Sequence, residues 1–574
     1  MSLSTIDWII IGFFFAVSLA IGLYTSKFSG KNSSNFFLSG RNMPWWVLGV
    51  SMVATTFAAD TPGLVAGIVR KDGISGNWVW WSFLLTGMLT VFFYSKLWRR
   101  TGITTDLEFY ELRYSGKSAS FLRGFRAIYL GVFFNVVIMA TVCLAGIKIG
   151  HVLFGFSAIT SLLLACSITT IYSLLGGLKG VLITDFIQFI IAMVGSVWAT
   201  IYIVNRPEVG GLDSLVNSSV VRTKLDFIPD FNSPEVLIPL FIVPLAVQWW
   251  SVWYPGAEPG GGGYVVQRML ASKNEKHATL ATLFFNVMHY AVRPWPWILI
   301  GLASLIIYPT LADLQVAYPD LDAEFIKEDL SYAAMLQLLP AGLIGLVVTS
   351  LIAAFMSTIS THLNWGSSYV VNDFYVRFIN PKASNKQQVI IARLSILIMM
   401  VLAALLAYVL EEAKDAFDLL LQIGAGTGLL FIIRWFWSRI NPLSEIAAMV
   451  VSFVIALVFF INKKIEVPFL ELKQYEELIL GVVLTSIVWI SVTFLSKPSS
   501  KETLQHFNSV VFKNENKFVN FKYKIVCFLS AVFGVYALLF AIGYVLLFDY
   551  VNAGIAACLA FLCGLIIYRF WRKV

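Results

Sequence analysis

The sequence predicts an all-α polytopic membrane protein, and three observations carry that reading. Hydrophobic residues make up 58% of the 574 and charged residues 13%, half the share usual in a soluble domain. About fifteen apolar runs are long enough to cross a bilayer, which takes roughly 20 helical residues each. Basic residues gather in the loops of one side if those runs alternate in direction.

The runs extend over 5–24, 44–69, 77–98, 124–150, 156–176, 180–204, 235–254, 276–307, 336–374, 388–410, 416–437, 442–462, 475–496, 523–547 and 551–571. The first lacks a basic leader and a cleavage site, so it reads as a retained helix and not a signal peptide. Lys27, Lys31 and Arg41 follow it. Lys96, Arg99, Arg100, Arg113, Lys117, Arg123 and Arg126 surround the 99–123 loop, and Arg268, Lys273, Lys276, Arg377 and Lys382 mark later loops. Lys501 to Lys524 and Arg569, Arg572 and Lys573 complete the set. All fall on one side, opposite the acidic stretch from Asp313 to Asp329. The positive-inside rule then puts the N-terminus outside and the C-terminus in the cytoplasm, which needs an odd number of spans.

The net charge of +8 sits in these loops and does not suggest a nucleic-acid partner. The five cysteines lie inside apolar runs without metal-ligand spacing, so they read as small buried side chains. Gly176-Gly177-Leu178-Lys179-Gly180 lacks the spacing of a phosphate-binding loop. With no nucleotide site, uphill transport has to be ion-coupled. No soluble domain and no nucleophile–base constellation stands out, so an enzyme is not expected.

Two runs carry material hostile to a helix. One is Ala58-Ala59-Asp60-Thr61-Pro62-Gly63; the other ends in Trp253-Tyr254-Pro255-Gly256, then Pro259 and the glycines Gly260 to Gly263. Proline removes a hydrogen-bond donor and glycine loosens the helix. Interrupted helices five spans apart mark the binding site of a secondary transporter built from repeats; ordinary proline kinks are the plainer reading. A third feature is the run 340–376. Ala354, Ser357, Thr358 and Thr361 share one helical face, with Ser360 beside them. This strip of hydroxyls suits a hard, weakly hydrated cation such as sodium. Serine and threonine also bond back to their own helix or join two helices.

Three stretches resemble the sodium/solute symporter family of sodium–glucose, sodium–proline and sodium–sialic acid transporters. They are Gly176-Gly177-Leu178-Lys179-Gly180-Val181 with Thr184-Asp185-Phe186-Ile187-Gln188; Thr101-Gly102-Ile103 through Glu108-Phe109 to Arg113-Tyr114; and Tyr264-Val265-Val266-Gln267-Arg268, which matches the family's loop between core helices six and seven. With the hydroxyl strip, the similarity covers roughly residues 5 to 440. It implies the leucine-transporter fold. Residues 1–43 would hold an extra N-terminal helix, 44–204 and 205–437 the two five-helix inverted repeats, and 438–574 the extra C-terminal helices.

The resemblance implies a main sodium site at the carbonyls of Ala54, Phe57 and Ala354 and the hydroxyls of Ser357 and Thr358. A second sodium set would combine Asp185 with Ser357, Ser360 and Thr361. For the solute it implies Gln422, His289 where sugar-transporting members have lysine, and Trp80 near their acidic position. Thr56, Asp60, Thr61, Trp250 and Trp253 are further candidates beside the breaks. Trp78, Trp80 and Trp81 also read as an interfacial belt, and Asp60 and Arg293 as an intramembrane pair or as readers of a substrate charge. The glycine-rich 255–263 stretch has no counterpart in the sugar members, which bears on the outer gate. The expected function is sodium-coupled import of a small organic solute, a sugar or related polar metabolite, across a bacterial cytoplasmic membrane by a monomer or loose oligomer. Amino acid or quaternary amine symport is an alternative. A transporter-fold sensor, which would need a separate signalling partner, is another.

Overall fold

The hydrophobic runs become helices because, in lipid, each backbone N–H and C=O has to find its partner within the chain. The structure, a computed structural model, describes residues 3–252, 258–319, 321, 326–409, 426–465 and 470–574. Among these the regular structure is helical, apart from one isolated bridge between Met43 and Ser272.

The main helices are α1 (Thr5–Ser29), α2 (Trp45–Thr55), α3 (Thr61–Asp72), α4 (Ile74–Thr101), α5 (Lys117–His151), α6 (Ala158–Val204), α7 (Pro234–Trp250), α8 (Gly263–Ala271), α9 (Glu275–Ile307), α10 (Leu343–Ile379), α11 (Asn385–Val409), α12 (Pro442–Lys463), α13 (Gln474–Leu495), α14 (Phe521–Leu546) and α15 (Tyr550–Lys573). Eleven of them are long and apolar enough to cross a membrane. They account for twelve of the expected spans, because α6 bends once and covers both 156–176 and 180–204. The bend is at Gly177, with φ 54° and ψ −165°, a conformation essentially reserved for glycine.

The remaining three expected spans are not single long helices. The run 44–69 is broken into α2 and α3. The run 235–254 is α7, and the chain resumes as α8 after residues 251–262. Of the run 416–437 the structure describes residues 426–437, with a short helix at Gly428–Ile433. The stretch Tyr264–Arg268, expected as a loop, is therefore helical. Its glycines and prolines mark an interruption, and the apolar spacing simply restarts beyond it.

Helix α10 is the most enclosed of these helices: 89% of its apolar window is buried, against 17% for α15, which is exposed along most of its length. Its N-terminus is tied to α1 by buried Asp7, whose Oδ1 accepts from the backbone N–H groups of Gly342 (2.7 Å) and Gly345 (2.8 Å). Exposed N–H groups at a helix start make this a natural place for a carboxylate.

Trp78 and Trp81 are not an interfacial belt. Both are buried, and α14 packs on them: Tyr536 donates to the Trp81 carbonyl at 2.8 Å, and the Trp78 ring lies 5.0 Å from that of Tyr536. The glycine-rich stretch likewise sits away from the acidic loops. Trp98 Nε1 donates to the Gly260 carbonyl at 2.9 Å, Gly263 N–H donates to Asp106, and Glu258 pairs with Arg126. Its described residues thus pack against the elements that flank the basic loops. A Cβ on Gly260 would lie 3.2 Å from the Tyr94 ring, so the close approach requires glycine.

Candidate functional site

The break between α2 and α3 follows from Pro62 near the start of α3, whose missing N–H is harmless only in a first turn. Residues 56–60 leave the helix, held by a turn in which Phe57 N–H donates to the Ala54 carbonyl at 3.0 Å. The hydroxyl face of α10 lies directly against this end of α2. Thr358 Oγ1 donates to the Thr55 carbonyl at 3.1 Å, and the Thr55 and Thr361 hydroxyls are 3.1 Å apart. Ala54, Phe57, Ala354, Ser357 and Thr358 are all buried here. Thr358 is therefore brought to the end of α2 beside Ala54 and the Phe57 turn, while Ser357, one residue earlier, turns its hydroxyl to Asp185.

Asp185 on α6 enters the same cluster. Its carboxylate accepts from Ser357 Oγ at 2.6 Å and from Ser51 Oγ at 2.5 Å, and is fully buried. Arg268 on α8 then fills the space the second set would share. Its Nη2 lies 3.8 Å from Asp185 and 2.7 Å from Thr361 Oγ1, and its Nε is 3.3 Å from Ser51 Oγ. Ser360 donates back to the Ser357 carbonyl of its own helix at 3.1 Å. The expectation for Asp185, Ser360 and Thr361 left out a guanidinium already beside the carboxylate. The sequence marks Arg268 only as a basic loop residue and as the end of the Tyr264–Arg268 stretch, not as a site residue, and does not mark Ser51. Arg268 was hidden because its segment read as a loop. Ser51 could have been found six residues before Phe57, on the α2 face that meets α6.

A second cluster lies on the other side of the break. Pro294 interrupts the ladder of α9, and the helix widens into a π turn over Met288–Val292, with Arg293 N–H donating to the Met288 carbonyl at 3.0 Å. The turn carries His289 into contact with Thr56, Nδ1 to Oγ1 3.2 Å. Trp80 packs edge-on to His289, 5.7 Å between centroids, and stacks on Tyr290. Arg293 Nη1 donates to the Val53 carbonyl at 3.0 Å and to Thr56 Oγ1 at 3.2 Å.

Thr56, Trp80 and His289 thus converge, and Arg293 joins them. Asp60 and Thr61 lie at the start of α3, with Asp60 exposed. Arg293 forms no ion pair with Asp60, so the intramembrane pair considered for them is not made. Trp250 is turned back on α7, its Nε1 donating to the Ala246 carbonyl at 2.8 Å. Trp253 and Gln422 lie outside the described residues.

The break between α2 and α3 thus faces a buried hydroxyl strip on α10. The sodium:solute symporter family model covers residues 36–452. The chain belongs to the sodium:solute symporter family. It is 25% identical to a sodium/glucose cotransporter of Vibrio parahaemolyticus over 499 residues, 84% of this chain and 90% of that one. It is 24% identical to a sodium/myo-inositol cotransporter of Oryctolagus cuniculus over 555 residues, 88% and 79% of the two chains. Among solved structures, a Na+-coupled sialic acid symporter in a substrate-bound outward-open state superposes with a TM-score of 0.67 at 22% identity, covering 87% of this chain and 99% of that one. The fold is that of the leucine-transporter group, and the protein is a multi-pass, sodium-coupled solute symporter.

Proposed function

We propose that this symporter imports a small polyhydroxylated solute, in the chemical range of sugars and cyclitols, with one sodium ion held between α2 and α10. The observation that carries the ion site is the approach of Thr358 to the end of α2. An ion bound by the carbonyls of Ala54, Phe57 and Ala354 and the hydroxyls of Ser357 and Thr358 would meet neutral oxygens, the donors hard cations take. It would hold the two helices together and pre-form the solute cluster of Thr56, Trp80 and His289. An ion shifts such an equilibrium only through its different affinity for the two states. The membrane potential adds about 2.3 kcal/mol per charge per 100 mV to the sodium gradient.

One ion is favoured over two by Arg268. A second sodium at Asp185, Ser360 and Thr361 would face a buried guanidinium 3.8 Å from the same carboxylate. The solute range rests on the relatives named above. The inverted repeats would run over 44–204 and 205–437, each opening on a broken helix. Fifteen spans with the N-terminus outside and the basic loops in a bacterial cytoplasm complete the reading.

Proteoliposomes test it. An inward sodium gradient should drive accumulation of labelled solute, with potassium in its place giving none. Ser357→Ala and Thr358→Ala should abolish the sodium dependence while the folded yield is kept. Full uptake by either variant at limiting sodium would refute the site. Binding without flux in the native protein would indicate a sensor.

A further inference from the structure

Arg293 is buried to 1% exposure at the depth of the α2–α3 break, yet its charge is unmatched. Arg268, at similar depth, has Asp185; among the described residues no carboxylate lies within 4.0 Å of Arg293. What surrounds it is aromatic and neutral. The Trp297 ring centroid is 5.2 Å from the guanidinium carbon and that of Phe57 is 5.9 Å. The Val53 carbonyl and Thr56 hydroxyl are both served by Nη1. The Val53 carbonyl belongs to the negative end of α2, so part of the positive charge is offset there.

The opposite edge of the guanidinium is unused. Nε is buried without a hydrogen-bond partner, and Nη2 makes no hydrogen bond among the described residues. An Nε/Nη2 edge presents two parallel N–H groups, the geometry that grips a carboxylate in a bidentate fork. An unsatisfied N–H in a buried cation is expensive, and an intramembrane charge points to function. The anchor points of Arg293, Val53 and Thr56, are at the break itself, next to His289 and Trp80 of the solute cluster.

We propose that Arg293 receives the carboxylate of an acidic solute, so that within the polyhydroxylated range the transported molecule is a sugar acid and not a neutral sugar or cyclitol. This rests on the symport reading above and narrows its substrate. The carboxylate would take the free edge while Nη1 keeps the end of α2 in place.

The test is sodium-dependent binding to the purified full-length protein, read by intrinsic fluorescence, for matched pairs: D-glucuronate against D-glucose, and N-acetylneuraminate against its methyl ester. At least one acid should bind more tightly than its neutral partner by on the order of 10- to 100-fold, and the pair that responds identifies the solute type. Arg293→Gln should erase that preference, and Arg293→Lys should retain a fraction of it, since an ammonium cannot form the fork. The sodium-induced fluorescence change without solute is read in the native protein, where the hold of Arg293 on the end of α2 is intact. Equal binding of every acid and its neutral partner overturns the proposal, as does an acid preference intact in Arg293→Gln. If both variants fail to fold, the matched pairs in the native protein decide. A sodium response missing from the native protein would instead refute the symport reading, which separates the two failures.

Discussion

At the residue scale, four side chains in the core carry the account, and each has a distinct physical reason. Thr358 meets a backbone carbonyl across the helix interface, so its hydroxyl is placed by α2 and not by its own helix. Losing it should weaken sodium binding by on the order of 10- to 100-fold. Thr358→Ser, which keeps the oxygen, should bind nearly as the native protein does; ion titration of both variants checks this. Asp185 and Arg268 act as a pair. Arg268→Gln leaves a buried carboxylate with only two hydroxyl donors, and should destabilise the protein by on the order of 3–5 kcal/mol. The double variant Asp185→Asn with Arg268→Gln should recover much of the loss. Thermal unfolding in detergent checks it, and a double variant less stable than Arg268→Gln would contradict the pairing. Arg293 holds the end of α2 through Nη1 and keeps its Nε without a hydrogen-bond partner.

Much of this cluster could be read from the sequence because periodicity alone puts Ala354, Ser357, Thr358 and Thr361 on one face. Arg268 could not be read that way. Whether a basic residue after a glycine run lies in a loop or on a restarted helix depends on where the chain goes next, and local pattern is silent on that.

At the element scale, breaks and bends set the geometry. Gly177 is a structural requirement: a Cβ there would lie 2.9 Å from Ser29 and 3.0 Å from the Phe36 carbonyl, at a φ of 54°. Gly177→Ala should cost on the order of 1–3 kcal/mol in backbone strain alone, seen as a lower unfolding temperature. On the basic side, the linker between α4 and α5 is clamped to the end of α10. Thr105 and Arg123 bond to Asp373, and Arg123 and Arg377 bond to Glu111. Burial raises the Glu111 carboxyl, but hydrogen bonds from Arg377, Ser120 and Arg123 outweigh it and hold it down at about 2, against an ordinary 4.5. A depressed folded value means the stabilisation is present above about pH 4.5 and fades as pH falls towards 2. Glu111→Gln should therefore be less stable than the native protein at pH 6, with the gap narrowing below pH 4.5; a gap independent of pH would contradict the clamp. The helices themselves were plain in the hydropathy. The broken ones were plain only as interruptions, since proline and glycine report where a helix stops and not where the next one points.

At the scale of the whole molecule, α10 is enclosed by the other helices and offers its hydroxyl face to the break in α2–α3. Two polar clusters flank that break, one with Thr358 and Asp185, the other with Thr56, His289 and Arg293. Both touch α2, so an ion on one side can prepare the solute site on the other. Composition established the membrane class, and the family motifs pointed to the architecture. The assignment of solute residues was harder, because a π turn and a kink decide which way His289 and Arg293 face. The central claim is that sodium joins α2 to α10 through Thr358 and so prepares the solute site. Equilibrium binding of radioactive sodium to the purified protein, native and Thr358→Ala, with and without saturating solute, tests it most directly. The account predicts saturable binding that solute tightens in the native protein, with affinity weakened by on the order of 10- to 100-fold and coupling lost in the variant. Native-like sodium affinity in Thr358→Ala, or sodium binding indifferent to solute in the native protein, would contradict it.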